Sequence, residues 1–445
     1  MSAAVAPTTT DRRRVLIVGG GYIGMYTGLG LQRAISRVPM EITLINQENF
    51  MTYQSFLPEV ASGNIEPRHV VVSLRQTLRK VNLVVGEVLR IDADAHVAHA
   101  RLMGGREVDL QYDVLVLGAG SRSRVLPVPG LKENAVGFKT VEEAIYLRNR
   151  VLSRLDFAAE TEDPGLRRAA LTFVVVGAGY AGVEALAELE DLSRSAVAEI
   201  PNLDASDLRW VLVEASERIL PELDPGLARY ARRRLESRNI EVMLSTRLES
   251  AEGGLMRLTN GDEFRADTLV WTTGVKAEPL AARSGLPVDE RGRLRVDEFL
   301  RVEGVADVWS AGDTAAVPDR NAGGYSPPTA QHALRQARRL AANVLATFEG
   351  KELQPFRYRN LGQLCSLGRY KGVAMVMGVK LRGFPAWFLH RSYHLVMMPT
   401  LAKKVRIAFD WTVGLFFPRD VVQLGSLQWP REPFERAAED DATEG

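Results

Sequence analysis

The stretch Val15-Leu16-Ile17-Val18-Gly19-Gly20-Gly21-Tyr22-Ile23-Gly24 decides the fold. Four apolar residues make a short buried strand, glycines follow at GxGxxG spacing, and a helix-like run continues to Gln32. Glu41 to Asn46 then reads as a second strand. This strand–helix–strand setting gives an otherwise weak glycine pattern its meaning. Gly19 permits a tight turn, Gly21 lets backbone approach a pyrophosphate, and Gly24 lets the helix pack close to the strand. The phosphates then meet free N–H groups and the positive end of the helix dipole.

The arrangement recurs. Leu171 to Val176 is a buried-type strand, Gly177-Ala178-Gly179-Tyr180-Ala181-Gly182 follows, and a helix is expected from about Val183 before a strand at Trp210 to Val213. Two such units, each set between a strand and a helix, predict two bound dinucleotides, where a lone copy would read as no more than a glycine-rich turn. Further strands end in small residues at Gly118-Ala119-Gly120, at Gly274, and at Ala311-Gly312-Asp313. Open α/β sheets bind ligands at such carboxyl ends. Asp313 is an acceptor suited to a ribityl or ribose hydroxyl, or a cap for the next helix. The chain therefore reads as α/β, with one Rossmann-like domain interrupted by a second and resumed after about Gly292.

Composition narrows the classes. With 445 residues, 46% hydrophobic and 25% charged, the chain has ample material for a core. Lys and Arg total 56 against 55 Asp and Glu, a net charge of +1 that argues against a nucleic-acid partner. The single cysteine, Cys365, excludes an intrachain disulfide, a redox pair and a thiolate zinc site. It is expected in the core. His96 and His99 are close in sequence without a carboxylate or thiol cluster, so no metal site is expected. Residues 1–11 are small and polar and read as a disordered lead. No run of about 18 apolar residues occurs, so no transmembrane helix is expected.

The paired GxGxxG units, Ala311-Gly312-Asp313 and Pro327-Pro328-Thr329-Ala330-Gln331 resemble the two-dinucleotide flavoprotein oxidoreductases. More narrowly, the chain resembles type II NADH dehydrogenase, the single-subunit, non-proton-pumping NADH:quinone oxidoreductase. Phe56 to Gly63, Gly182-Val183-Glu184, Gly274-Val275-Lys276-Ala277 and Gly383 to Trp387 carry the narrower likeness, which spans about residues 13 to 420. It implies FAD in the first domain and NADH in the second. In its terms Gly19, Gly21 and Gly24 hold the FAD pyrophosphate, Gly118, Ala119 and Gly120 line the isoalloxazine, and Asp313 takes the ribityl chain. Ala330 and Gln331 lie near the flavin's pyrimidine end and the quinone. Gly177, Gly179 and Gly182 take the NADH pyrophosphate, Glu184 stands beside the nicotinamide, and Gly274 counts among the cofactor-binding positions.

The implied domains are 12–135 with 292–365 for FAD, 136–291 for NADH, 366–430 for membrane association or dimerisation, and a charged tail over 431–445. Glu214 ends the second strand of the NADH domain, where a carboxylate accepts from the adenosine ribose and repels an extra phosphate. NADH is therefore expected over NADPH, with Arg218 a softening influence. Two positions depart from the family pattern. Asn46 replaces the usual acid after the second strand of the FAD domain, with Glu48 nearby to substitute. Arg335 stands where family members commonly carry a second glutamine, four residues after Gln331 and so on the same helix face. It can donate to a quinone carbonyl but cannot accept from a quinol. The catalytic set expected is Glu184, Gln331 and Arg335. For Glu184 the plainer reading is an acid favoured by a helix N-terminus.

Charge is not spread evenly. Between Phe356 and Val421 eleven cations face two acids, a local +9 that leaves −8 elsewhere. Aromatic residues interleave, and two amphipathic segments, Ala386 to Met397 and Leu401 to Phe416, flank Pro399. On the second, Lys403, Lys404, Arg406 and Asp410 fall largely on one side, with Leu401, Val405, Ala408, Thr412 and Leu415 on another. His390, Arg391 and His394 cluster on the first. Such helices suit the interface of an anionic membrane; a homodimer interface or ordinary core helices fit the same pattern. The expected enzyme passes hydride from NADH to flavin and two electrons to a quinone, menaquinone or ubiquinone, peripherally at the cytoplasmic face of the membrane. The alternatives are an NAD(P)H-dependent reductase of a soluble electron carrier, docked through Arg335 and the basic region, and a low-turnover flavin- and NADH-binding sensor.

Overall fold

The computed structural model of the protein describes residues 12–321, 323–358 and 362–423. The lead expected over 1–11 and the charged tail expected over 431–445 lie outside the described residues. The chain divides into two compact units. One runs to Tyr53, takes up Val71–Arg124 and resumes at Gly274; the other comprises Gln54–Val70, Val125–Thr273 and the chain from Gly362 onward. The divisions fall at 124 and 273, ahead of the sequence-based boundaries at 135 and 291. The reason is pairing: Ser121–Ser123 and Val275–Ala277, the two strands that border the crossings, form one antiparallel pair within the first unit. Cys365 also falls in the second unit.

The first unit holds a seven-stranded sheet in the order Val308–Ser310, Val114–Leu117, Arg13–Val18, Met40–Asn46, Asn82–Asp92, Val97–Leu102, Glu107–Gln111. The first five run parallel and the last two return antiparallel. Parallel strands are buried on both faces, which is why Val15 to Val18 and Val114 to Leu117 are continuous apolar runs. Helix Tyr22–Gln32 covers one face with Ala330–Phe348 against it, so closely that a Cβ on Gly30 would lie 2.7 Å from the Ala341 Cβ.

The second unit repeats the logic with five parallel strands ordered Ala135–Val136, Thr268–Trp271, Thr172–Val176, Arg209–Val213, Ile240–Met243. Helix Tyr180–Val197 begins three residues before the expected Val183, because Gly179 is its N-cap. In each unit the third glycine of the motif brings helix backbone onto loop backbone. A Cβ on Gly24 would sit 1.8 Å from the Gly19 carbonyl oxygen, and one on Gly182 2.0 Å from that of Gly177.

The C-terminal part adds a three-stranded antiparallel sheet, Gly362–Ser366, Gly372–Val376 and Val379–Arg382, then helices Phe384–Met397 and Leu401–Phe416. The last helix is inverted relative to a core helix. Asp410 meets His69 at 2.5 Å, and Lys403 and Lys404 donate to the carbonyls of Arg68 and Val396, each at 2.6 Å. Ile407 is fully buried, while Leu401, Val405, Phe409, Val413 and Phe416 face outward. Among the described residues no helix is long and apolar enough to cross a membrane.

Gly182→Ala is expected to destabilise the second unit by about 1–3 kcal/mol, since the added methyl would lie 2.0 Å from the Gly177 carbonyl oxygen and 2.5 Å from Thr272 Oγ1, which can yield only by giving up its bond to Gly177. A fall of several degrees in the thermal midpoint checks this; an unchanged midpoint contradicts the close approach.

Candidate nucleotide and acceptor sites

In the first unit Val18, Leu117 and Ser310 sit opposite one another across the parallel strands, so the loops that follow them leave the sheet from one row. That row brings together Gly19 to Gly24, Gly118 to Gly120 and Asp313. Gly21 caps the Tyr22–Gln32 helix without any side-chain hydrogen bond, and a Cβ there would meet nothing within 4 Å. Free N–H groups facing open space are what a pyrophosphate requires. Asn46 braces this loop: its Oδ1 accepts from the Gly20 N–H at 2.8 Å, and its amide donates to the Glu48 carbonyl at 2.7 Å. Glu48 thus contributes backbone to the contact with Asn46. Asp313 accepts from the Ser121 hydroxyl at 2.5 Å, and the Gly120 N–H donates to Thr314 Oγ1 at 2.6 Å. Buried Gln336 accepts from the Gly312 N–H at 2.8 Å.

Helix Ala330–Phe348 starts after the N-cap Thr329, which puts Ala330 and Gln331 in its first turn. Gln331 Oε1 accepts from the Tyr358 hydroxyl at 2.9 Å. Arg335 donates to the Gln331 carbonyl at 2.9 Å, and its guanidinium lies 4.2 Å from the Tyr358 ring centroid. His332 meets the same ring edge-on, and burial, opposed by Asp319 and helped by Arg335, lowers its pKa. Gln331 and Arg335 therefore share a face, with Tyr358 as the third member. Sequence reasoning missed Tyr358, Thr314 and Gln336. Thr314 directly follows the Asp313 motif and Gln336 directly follows Arg335, so adjacency was the available signal; Tyr358 carried none.

The second unit builds the equivalent row from Val176, Val213 and Trp271. Gly179 caps its helix without a side-chain bond and faces open space. Thr272 Oγ1 donates to the Gly177 carbonyl at 2.9 Å. Glu214 accepts from the Ala178 N–H at 2.6 Å and from the Ser216 N–H at 2.8 Å, so it steadies the glycine loop as well as ending the strand. Arg218 donates to the Pro221 carbonyl. Gly274, the first residue of the resumed first unit, accepts from the Arg124 N–H at 3.0 Å.

Glu184 lies within a buried polar cluster of the second unit that sequence reasoning did not anticipate. Its Oε1 accepts from the Ser366 N–H at 2.8 Å and meets His390 Nε2 at 3.0 Å. Burial opposes charge on His390, but Glu184 outweighs it and raises the imidazole pKa; burial and then His390 depress that of His394. Arg391 and Trp411 both donate to Glu59 at 2.7 Å. The cluster of His390, Arg391 and His394 is thus turned inward, where His390 and Arg391 meet the buried acids Glu184 and Glu59. Glu188 accepts from Ser62 and Asn64, each at 3.0 Å, and burial followed by Glu59 and Asp191 pushes its pKa up to about 7. Cys365 is fully buried with its thiol pushed up by burial and then Glu184.

Over residues 8–337 the chain matches the family described as pyridine nucleotide-disulphide oxidoreductase. It is 30% identical over 431 residues to the type II NADH:quinone oxidoreductase NdhA of Mycobacterium tuberculosis, covering 93% of this chain and 89% of that protein. It is 33% identical over 398 residues to the type II NADH:quinone oxidoreductase of Staphylococcus epidermidis, covering 86% and 94% respectively. A solved structure of NDH2 from Plasmodium falciparum in complex with NADH matches with a TM-score of 0.85 over 92% of this chain and 100% of that one. At 18% identity that last likeness is one of fold.

The Glu188 carboxyl sets a pH dependence. A carboxyl whose folded pKa is raised above its ordinary 4.5 stabilises the fold at low pH and loses that contribution as pH climbs through about 7. Glu188→Gln keeps the neutral shape, so its thermal midpoint is expected to gain on wild type between pH 5 and 8. The groups that bias Glu188, namely Glu59, Asp191, Arg419 and Arg391, remain in both proteins. A constant difference across that range would mean Glu188 is charged throughout.

Proposed function

Since this chain belongs to the type II NADH:quinone oxidoreductases, within the pyridine nucleotide-disulphide oxidoreductase family, we propose that it reduces a membrane quinone, menaquinone or ubiquinone, without proton translocation. Its cofactors are FAD and NADH. The observation that carries the reading is the pair of uncapped helix N-termini at Gly21 and Gly179, each facing space that a side chain would fill. Bound there, the two cofactors supply hydride transfer from nicotinamide to flavin and two-electron reduction of the acceptor.

The chain's own residues bind and orient. Gly19, Gly21 and Gly24 would cradle the FAD pyrophosphate, Asp313 would take the ribityl chain, and Gly118 to Gly120 would leave room for the ring system. Gly177, Gly179 and Gly182 would do the same for NADH. Glu214, already fixed by two N–H donors, would accept from the adenosine ribose and favour NADH over NADPH. Glu184 would stand on the nicotinamide side, its charge balanced by His390. Gln331 and Arg335 would meet the quinone, Arg335 as donor to a carbonyl.

The outward apolar face of the last two helices would lie in the interface of an anionic membrane at the cytoplasmic side. Phe384 and Phe388 are more than half exposed, and Phe409 and Phe416 are 65% and 77% exposed. The exposed Arg406 would reach lipid phosphates. A homodimer would cover the same face by pairing two copies.

A steady-state panel of quinone analogues and a soluble iron–sulfur carrier, with NADH and NADPH as donors, tests the assignment. Arg335→Gln is expected to lower kcat/KM for quinone about tenfold, or ~1.4 kcal/mol, with flavin reduction by NADH unchanged. Equal turnover of every acceptor by both proteins would remove Arg335 from the quinone site. A preference for NADPH would overturn the role of Glu214, and turnover with the carrier alone would favour the soluble-partner reading. Phe409→Asp with Phe416→Asp is expected to cut vesicle binding at least tenfold and spare turnover of a water-soluble quinone. If the pair instead converts a dimer to a monomer in light scattering, the face is a subunit interface.

A further inference from the structure

The second unit contains a cavity of about 370 Å3 whose walls include Val60, Ile145, Val413 and Phe417 together with Arg148 and Arg419. Arg148 projects from helix Val141–Glu160, and its side chain is 14% exposed. Its Nη2 donates to the carbonyls of Asp420 at 2.9 Å and Val422 at 3.2 Å. Its Nη1 lies 2.8 Å from where a Cβ on Gly63 would be, so the guanidinium occupies room that the glycine leaves. That Nη1 and the Nη1 of Arg419 are both buried and have no hydrogen-bond partner among the described residues.

Leaving such donors unpaired in the interior is costly, the more so when they are charged. The two guanidinium groups also act against each other: burial lowers the pKa of Arg148, Asp420 opposes that, and Arg419 lowers it further. Of the acids at the cavity, Asp410 and Glu66 are engaged elsewhere, and Asp420 meets Arg148 only at long range. Asp410 is held by His69 at 2.5 Å and by the Glu66 N–H at 3.2 Å, while Glu66 pairs with Arg68 at 2.9 Å. Asp420 stands 3.9 Å from Arg148 and is 72% exposed. Arg369, the third cation in the lining, donates to the Gly414 carbonyl at 2.7 Å.

Two buried guanidinium Nη1 groups without an acceptor call for an anion, which a neutral ring does not supply. The walls say what the anion is attached to. Val413 and Phe417 line the cavity and are also 54% and 65% exposed, so the apolar wall is continuous with the outward face of the last helix. We propose that this cavity takes the phosphodiester headgroup of an anionic phospholipid, with Arg148 and Arg419 donating to its phosphate oxygens and the acyl chains leaving along Val413 and Phe417. The proposal rests on the membrane reading and adds a lipid-selective site to it.

The test uses the full-length holoenzyme and three probes: dihexanoyl-phosphatidylglycerol below its micelle concentration, dihexanoyl-phosphatidylcholine and inorganic phosphate. The phosphatidylglycerol is expected to raise the thermal midpoint by a few degrees, the other two by far less. Arg419→Gln removes none of the hydrogen bonds described above and is expected to weaken the phosphatidylglycerol effect about tenfold. Arg229→Gln, which removes an exposed charge of the second unit outside the cavity lining, should leave it intact. Flavin content and the unliganded midpoint of each variant verify that it folds. Equal shifts with both lipids, or a shift that survives Arg419→Gln, overturn the proposal. A shift reproduced in full by inorganic phosphate overturns the lipid assignment. Sedimentation with vesicles separates the two levels. Wild type that pellets with vesicles, yet shows no Arg419-dependent shift, refutes the headgroup site alone; wild type that pellets with no vesicle refutes the membrane reading beneath it.

Discussion

Everything about the two nucleotide sites depends on how closely a helix can start beside a parallel sheet. At Gly24 and Gly182 the first helical turn rests on the carbonyl oxygens of Gly19 and Gly177, and a Cβ would come within 2.0 Å of them. The contact is backbone on backbone. It turns the first N–H groups of each helix toward the carboxyl ends of the strands, where no capping side chain competes for them. A helix set further back would aim those groups at solvent and would present its positive end to no ligand.

The supporting contacts are of a different kind in the two units. Asn46 in the first and Glu214 in the second reach from the end of the second strand to an N–H of the glycine loop, at 2.8 and 2.6 Å. The position is equivalent, but the amide brings no charge and the carboxylate does. The first loop is therefore steadied by a neutral side chain and the second by a carboxylate. The same division of labour explains Gln336, a neutral buried acceptor under Gly312.

The C-terminal part shows how charge in a sequence can mislead about a surface. The +9 excess between Phe356 and Val421 reads as a cationic face. In the fold Arg391 neutralises Glu59, His390 pairs with Glu184, and Lys403 and Lys404 are occupied by carbonyls. What the last two helices turn outward is mainly apolar, with Arg406 an exposed cation among it. The expected amphipathic helix is present, but the side turned to the protein is the polar one. The groups that meet that side, Glu59, His69 and the Arg68 carbonyl, lie in a segment far from it in sequence, so no local pattern announces them.

Local spacing was enough to determine both dinucleotide units, their strand–loop–helix order and the residues at each glycine turn, since these features follow from a few neighbouring φ/ψ requirements and the period of burial. It also placed Gln331 and Arg335 on one face, which a helix enforces within a single turn. Helix Tyr180–Val197 began earlier than periodicity suggested, because a glycine cap leaves no side-chain signal. Only the tertiary structure decided where the units divide, that Tyr358 joins Gln331 and Arg335, that Glu184 is buried against His390, and that Arg148 and Arg419 share a cavity. Those facts depend on which distant segments exclude water together, and burial, unlike periodicity, is a property of the packed whole.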